Sequence, residues 1–330
     1  MRGENLSRAE ASQLLEALLD DEATDAQIAA TLIALKQKGE TVEELAGLAE
    51  GMRQRAIRIN SRHDCFIDTA GTGSSCAKTF NVSTAAAFVI AGAGLPVAKH
   101  GNRAASSRCG SADVLNALGV NVSASPEISE KCLSEIGICF MFAPLFHGAT
   151  ARVAGIRREL GVQTTFNLLG PLTNPARAPR QIIGVSSRAF VEPLARALTL
   201  LGTERAWVVH GADGLDEVTI ADKTFLAETR DGDVRTFEIE PSDFGLESMS
   251  LDRLRGGDAE GNAGIIRGVL SGTRRDEART LVIVNAAAAL HVGGVANDLR
   301  EGARLAEQST DAGRASEKLD ELIRITNASN

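Results

Sequence analysis

Asp216 and Glu217 stand side by side in the run Gly214-Leu-Asp-Glu-Val-Thr219. Two hard oxygen ligands in one loop suit Mg²⁺, which is commonly held by a few carboxylates together with a substrate's own phosphates. Adjacent carboxylates are equally at home in an ordinary polar turn. The metal reading therefore needs a phosphate site beside it. Asp68-Thr-Ala-Gly-Thr-Gly-Ser-Ser-Cys-Ala-Lys-Thr-Phe-Asn-Val-Ser-Thr84 supplies a candidate, leaving a strand through Gly71 and Gly73 and entering a helix. Glycines let backbone approach a phosphate, N–H groups of the turn and helix start point inward, and the helix dipole favours negative charge. Ser83 and Thr84 add hydroxyl donors. Taken alone, such a turn also fits a tight connection in any α/β fold.

The string Lys99-His-Gly-Asn-Arg-Ala-Ala-Ser-Ser107 is far less generic. Lys99 and Arg103 offer cationic charge, and Ser106, Ser107 and Ser111 offer hydroxyl donors, to a multiply phosphorylated ligand. Singly, these would read as solvated charges and a structural histidine at His100. Their clustering argues for a site. Further on, Arg157 closes a helical stretch and can present a guanidinium bidentately to a carboxylate. Its neighbour Arg158 points elsewhere on the helix and reads as a surface charge. Pro171 and Pro175 flank Asn174 in a run that reads as a rigid loop unable to continue a helix.

The elements that must carry these residues fall into two kinds. Capping boxes at Ser7 with Glu10, Thr24 with Gln27 and Thr41 with Glu44 each open an amphipathic run, so residues 1–65 read as a small all-helical domain. From Phe66 onward, short β-rich segments alternate with helical ones, which predicts a larger α/β domain over 66–330, a mostly parallel sheet covered by helices. Strands are predicted at Phe66–Thr69, Leu95–Ala98, Ile138–Phe142, Gln181–Val185 and Ala206–His210. Helices are predicted at Ser83–Ala93, Ala112–Leu118 and Phe190–Leu201, with two or three more from Glu277 to Ile325. Gly256–Ile265 reads as a mobile loop. Ligands of parallel sheets bind beyond the strands' carboxyl ends, so all these motifs should open onto one crevice.

Composition narrows the function classes. A length of 330 residues permits a large domain plus a small one, and a net charge of −8 argues against a polyanion partner such as nucleic acid. Five cysteines without a CxxC pair suggest neither a disulfide framework nor a zinc site and fit a reducing cytoplasm. No apolar run resembles a signal peptide or a membrane span. A soluble, cytoplasmic protein is expected.

With KHGNRAASS, GSADVLNALGV, FNLLGPLTNPA and GLDEV in order, the chain closely resembles the anthranilate phosphoribosyltransferases over essentially its whole length. The resemblance implies a homodimer whose helical domain is completed by about 165–176. It implies Mg²⁺-dependent transfer from 5-phosphoribosyl 1-diphosphate to anthranilate in tryptophan biosynthesis. By the family pattern, the phosphoribosyl diphosphate falls to Gly71, Ser74, Ser75, Thr79, Asn81, Val82, Ser83, Thr84, the string Lys99, His100, Gly101, Asn102, Arg103, Ala104, Ala105, Ser106 and Ser107, and Ser111. Mg²⁺ falls to Ser83, Asp216 and Glu217. Anthranilate falls to Gly71, Asn102 and Arg157, with His100 and Pro171 as nearby wall.

One departure stands out: Gly71-Thr-Gly-Ser-Ser-Cys76 occupies the place of the family's usual GTGGDG, so Ser75 replaces a carboxylate that could contact a metal-bound water. A serine hydroxyl can still donate to a phosphate oxygen. No nucleophile–base pair accompanies these motifs, and none is required, because ribosyl transfer passes through an oxocarbenium-like state. Catalysis is expected from positioning and electrostatics, without a catalytic side chain. Two rival readings are a pyrimidine-nucleoside phosphorylase and a non-catalytic paralogue that binds nucleic acid.

Overall fold

The computed structural model describes residues 3–73, 79–104 and 108–328. Its first helices are α1 (Arg8–Leu19), α2 (Asp25–Lys38) and α3 (Val42–Arg55), and each begins at one of the three capping boxes. In each box the cap hydroxyl accepts from the third helical N–H while that residue's side chain accepts from the cap, satisfying two otherwise unpaired donors. The apolar stripes that follow are buried, including Leu15, Ile28, Leu32, Leu45 and Leu48.

The alternating part then runs β1 (Ile67–Gly71), α4 (Val82–Gly92), β2 (Val97–Gly101), α5 (Ser111–Ala117), α6 (Pro126–Ile136), β3 (Ile138–Phe142), α7 (Ala143–Phe146), α8 (Ala151–Leu160) and α9 (Phe166–Leu172). It continues with β4 (Arg180–Gly184), α10 (Val191–Leu200), β5 (Arg205–Gly211), β6 (Thr224–Arg230) and β7 (Asp233–Ile239), and closes with α11 (Ala259–Leu270), α12 (Glu277–Val292), α13 (Leu299–Asp311) and α14 (Arg314–Asn327). Among the described residues, the strands form one seven-stranded sheet in the order β3-β2-β1-β4-β5-β6-β7. The first five are parallel, and β6 and β7 run antiparallel at one edge. All five predicted strands are present, with ends shifted by up to three residues. The antiparallel pair is an addition. Its turn, Asp231-Gly232, has φ of 54° and 88°, the two positive values of the hairpin turn that twists with its strands.

Two further expectations are corrected. Of Gly256–Ile265, only the first part is loop: Asp258 accepts from Gly261 N and starts α11 at Ala259, because a capping aspartate outweighs the scattered glycines. Residues 166–172 are helical although Pro171 lies among them, since Pro171 sits in the last turn and the helix stops one residue later.

Two apolar cores lie on either side of the sheet. One joins α4 and α12 to residues of β1, β2 and β3. The other gathers α1–α3 with Val153 and Ile156 of α8, Phe166 and Leu169 of α9, α10, and the inner face of β4 and β5. Arg53 of α3 donates to the carbonyls of Leu172 at 2.7 Å and Leu201 at 3.2 Å, tying the helical layer to the ends of α9 and α10.

Candidate active site

The parallel strands β1, β2, β4 and β5 end at Gly71, Gly101, Gly184 and Gly211, and the loops that leave them carry the motifs. Gly71 pairs in register with Gly184, and Gly184 with Val209. Two of these glycines face the acidic loop. A Cβ on Gly71 would stand 3.5 Å from Oδ2 of Asp216, and one on Gly184 would overlap the Asp216 carbonyl outright. The backbone of the loop can therefore lie against the end of β4 only because Gly184 has no side chain, whereas a side chain at Gly71 would make ordinary contact with Asp216.

Lys99 lies buried on β2, where its Nζ donates to the Thr69 carbonyl on β1 and stands 3.4 Å from the hydroxyls of Thr69 and Ser83. Burial pulls its pKa down, opposed by the charges of Asp68 and Glu217. Glu217, half-buried, accepts the Ser83 N–H at 3.2 Å. Burial and then the neighbouring Asp216 charge raise the Glu217 carboxyl, against the pull of Lys99 and Ser83. Two adjacent carboxylates suit a hard divalent cation, which would relieve their repulsion. Asp216, Glu217 and the Ser83 hydroxyl thus fit Mg²⁺ by donor chemistry.

The start of α4 departs from the expected open cradle. Its N–H groups are taken: Val82 donates to Phe80, Thr84 to Asn81, and Ser83 to Glu217. Glu217 supplies the anion that the helix start favours. Asn81 makes no cap hydrogen bond; its Nδ2 donates to the Cys109 carbonyl at 3.2 Å and its Oδ1 accepts from Asn262 at 3.0 Å. Val82 is buried, and so is the Thr84 hydroxyl, which has no hydrogen-bond partner among the described residues. Thr79 bridges to Arg255, which brings the segment before α11 to the cradle. Ser74, Ser75 and Cys76 lie outside the described residues, as do Ala105, Ser106 and Ser107.

Asp113, which the sequence reading missed, organises the second string. Its Oδ2 accepts from Ala104 N and Gly110 N, each at 2.9 Å, and its Oδ1 accepts from Arg103 at 3.0 Å. Arg103 is therefore already paired, with half its side chain exposed. The Asn102 carbonyl accepts from Ser111 Oγ at 3.3 Å and Ala112 N at 3.1 Å, and Gly101 approaches Ser111 too closely for a Cβ. Beneath the string, Asp68 is fully buried and accepts from His100 N at 3.2 Å and Asn174 Nδ2 at 2.7 Å. Burial lifts its pKa to about 6, while Lys99 and Asn174 pull it down.

Of the groups assigned to anthranilate, Arg157 and His100 each touch α9. Arg157 Nη2 donates to Asn167 Oδ1 at 3.1 Å, and its guanidinium carbon lies 5.3 Å from the Phe166 ring centroid. Near the other end, the His100 ring faces the Gly170 carbonyl. The ring of His147, another residue missed from sequence, lies 5.1 Å from it. Burial first, then His147 and Lys99, hold His100 down to about 3, and burial holds His147 down to about 4, so both rings are neutral. Pro171 is buried and its carbonyl accepts from Gln181 at 3.0 Å. Arg158 is exposed, as its place on the helix predicted.

Residues 63–316 match the α/β-domain model of a glycosyl transferase family, and residues 1–56 match that family's helical-bundle domain. The anthranilate phosphoribosyltransferase of Moorella thermoacetica is 52% identical over 97% of this chain and 94% of its own, and that of Anaeromyxobacter dehalogenans strain 2CP-C is 53% identical over 99% and 96%. The chain belongs to the anthranilate phosphoribosyltransferase family. Among solved structures, the anthranilate phosphoribosyltransferase of Thermus thermophilus superposes with a TM-score of 0.93 at 40% identity, covering 98% of this chain and 97% of that one. The Saccharomyces cerevisiae enzyme in complex with PRPP and Mg gives 0.89 at 28% identity, covering 98% and 94%. A helical domain beside a larger, mostly parallel α/β domain is the architecture of this family. Nothing in these likenesses supports a nucleoside phosphorylase or a nucleic-acid-binding paralogue. No helix among the described residues is long and apolar enough to cross a membrane.

Proposed function

We propose that this chain transfers the phosphoribosyl group of 5-phosphoribosyl 1-diphosphate to the amine of anthranilate, as its relatives' names state for them. The observation that carries the reading is the meeting of Lys99, Ser83 and Glu217 at the ends of β1 and β2. A buried ammonium, a hydroxyl and a carboxylate pair there form a place where a metal diphosphate has its charges matched. The C1–O bond to diphosphate breaks with its electron pair leaving on oxygen, the anthranilate nitrogen bonds to C1, and one amine proton is released. Mg²⁺, when bound, offsets the charge of the departing diphosphate. Lys99 shares that task. Arg157 holds the anthranilate carboxylate, and neutral His100 and His147 with Pro171 wall its ring without adding charge. The remaining residues of the turn and of the Lys99–Ser107 string, with Ser111, are proposed to hold the phosphates and ribose.

Because Asp113 already holds Arg103 and Ala104, residues 103–104 are preorganised rather than assembled around a ligand, which lowers the ordering cost of binding. We propose the division into residues 1–65, completed by about 165–176, and residues 66–330, with substrates meeting where α9 lies beside β2. We also propose a homodimer in the cytoplasm, the former to be read by sedimentation equilibrium. Diphosphate release that requires both anthranilate and phosphoribosyl diphosphate tests the reaction; release with phosphoribosyl diphosphate alone would overturn it.

A further inference from the structure

Asn285 lies in the middle of α12, a helix otherwise lined by Leu281, Val282, Ile283, Val284 and a run of alanines, and it is 4% exposed. An amide in such a place is costly unless every polar atom is paired. Its Oδ1 accepts from Val218 N at 2.9 Å, and its Nδ2 donates to the Val218 carbonyl at 2.9 Å and to Leu281 O at 2.8 Å. The side chain therefore grips both backbone groups of the residue that follows Asp216-Glu217. Gly184 abuts the Asp216 carbonyl, and just beyond Val218, Thr219 is held through its hydroxyl by Asp213 and through its N–H by Thr224. Two adjacent carboxylates carry like charge and need an outside constraint to stay on one side of a loop. Asn285 supplies it from 67 residues away.

We propose that Asn285 is the positioning residue of the acidic pair, setting the orientation in which Asp216 and Glu217 present their oxygens to a divalent cation. This rests on the reading that the pair holds Mg²⁺. Partners that orient metal ligands typically cost about 10–100-fold in metal affinity when removed. The test compares the full chain with Asn285→Leu, which keeps the volume and loses the amide, with Asn285→Ser, which is smaller and keeps the comparison open should the leucine variant not fold, and with Asp216→Ala. Enzyme-bound Mn²⁺ is measured by electron paramagnetic resonance with diphosphate present, against a protein-free control. The Mg²⁺ concentration for half-maximal activity, kcat at saturating Mg²⁺ and the metal-free melting temperature are measured alongside. The expected result is Mn²⁺ binding weakened about tenfold or more in the Asn285 variants, a matching rise in the Mg²⁺ requirement, and kcat largely recovered at saturation. Unchanged Mn²⁺ affinity in those variants with loss in Asp216→Ala would overturn the proposal, whatever happens to melting. Unchanged affinity in Asp216→Ala as well would instead overturn the metal assignment beneath it.

Discussion

Lys99 on β2 places its ammonium 3.4 Å from the Ser83 hydroxyl at the start of α4 and donates to the Thr69 carbonyl on β1. That one side chain links the phosphate turn to the second string and faces Asp68 and Glu217 with the opposite charge. Its loss would act on both binding and folding. Lys99→Met should lower kcat/KM for phosphoribosyl diphosphate by about 10–100-fold, the worth of a charge-assisted hydrogen bond of roughly 1.5–3 kcal/mol. It should also lower the melting temperature, since the buried Asp68 and the half-buried Glu217 lose their compensating charge. Steady-state kinetics with a parallel thermal melt read both, and an unaltered phosphoribosyl diphosphate requirement would remove Lys99 from the site.

Arg157 is placed by Asn167 and Phe166 of α9, a segment that also carries Pro171 and faces His100. Arg157→Ala should raise the KM for anthranilate about tenfold or more while moving that for phosphoribosyl diphosphate little. Equal effects on the two would mark the arginine as a packing residue.

Gly110 abuts the backbone of the Lys99–Ser107 string, where an added Cβ would lie 2.7 Å from the Asn102 carbonyl oxygen. A methyl there has nowhere to go, because its neighbours are main chain held by Asp113. Gly110→Ala should therefore raise the phosphoribosyl diphosphate KM with kcat less affected, and a kinetically silent variant would show the string to be pliable.

Stability should carry a signature of Asp68. Burial raises its folded-state pKa from 3.8 to about 6, so folding favours the protonated form. That contribution is complete below the unfolded pKa and is lost as pH rises through about 6. At 1.36 kcal/mol per unit, the loss is on the order of 3 kcal/mol. Glu217, raised likewise, adds a loss of the same sign. Urea titrations without divalent cation, in a Glu217→Gln background, should show stability falling between about pH 4 and 6, with Asp68→Asn flattening that slope. A stability that instead rises over this range would contradict the assigned cause.

Local signals carried much of this architecture to the surface of the sequence. Three capping boxes and the alternation after Phe66 were readable because each depends on residues within a turn or two of one another. The five parallel strands were readable because they are short, mostly buried segments set between helical stretches. The edge hairpin escaped despite its Asp231-Gly232 turn, since half-exposed β7 alternates around charged residues. Within the site, the motif residues are contiguous strings, whereas Asn174 reaches Asp68 across 106 positions and Asn285 reaches Val218 across 67. No periodicity announces such pairs. Asp113 was within reach of reading, as the third residue of a helix beginning after Gly110, where a carboxylate folds back onto free N–H groups. The pairing of α4's leading N–H groups could not be anticipated, because the carboxylate that takes Ser83 comes from a loop 134 residues later.

We propose that the Gly71 turn, the Lys99 string and the Asp216-Glu217 loop form one site for a metal diphosphate beside the anthranilate groups. Anthranilate is fluorescent, and its consumption can be followed directly. Fluorescence should fall only when phosphoribosyl diphosphate and Mg²⁺ are both present, and the double substitution Asp216→Ala, Glu217→Ala should abolish the fall. Consumption that proceeds unchanged in the double variant, or none at all in the native chain with both ligands supplied, would contradict the account.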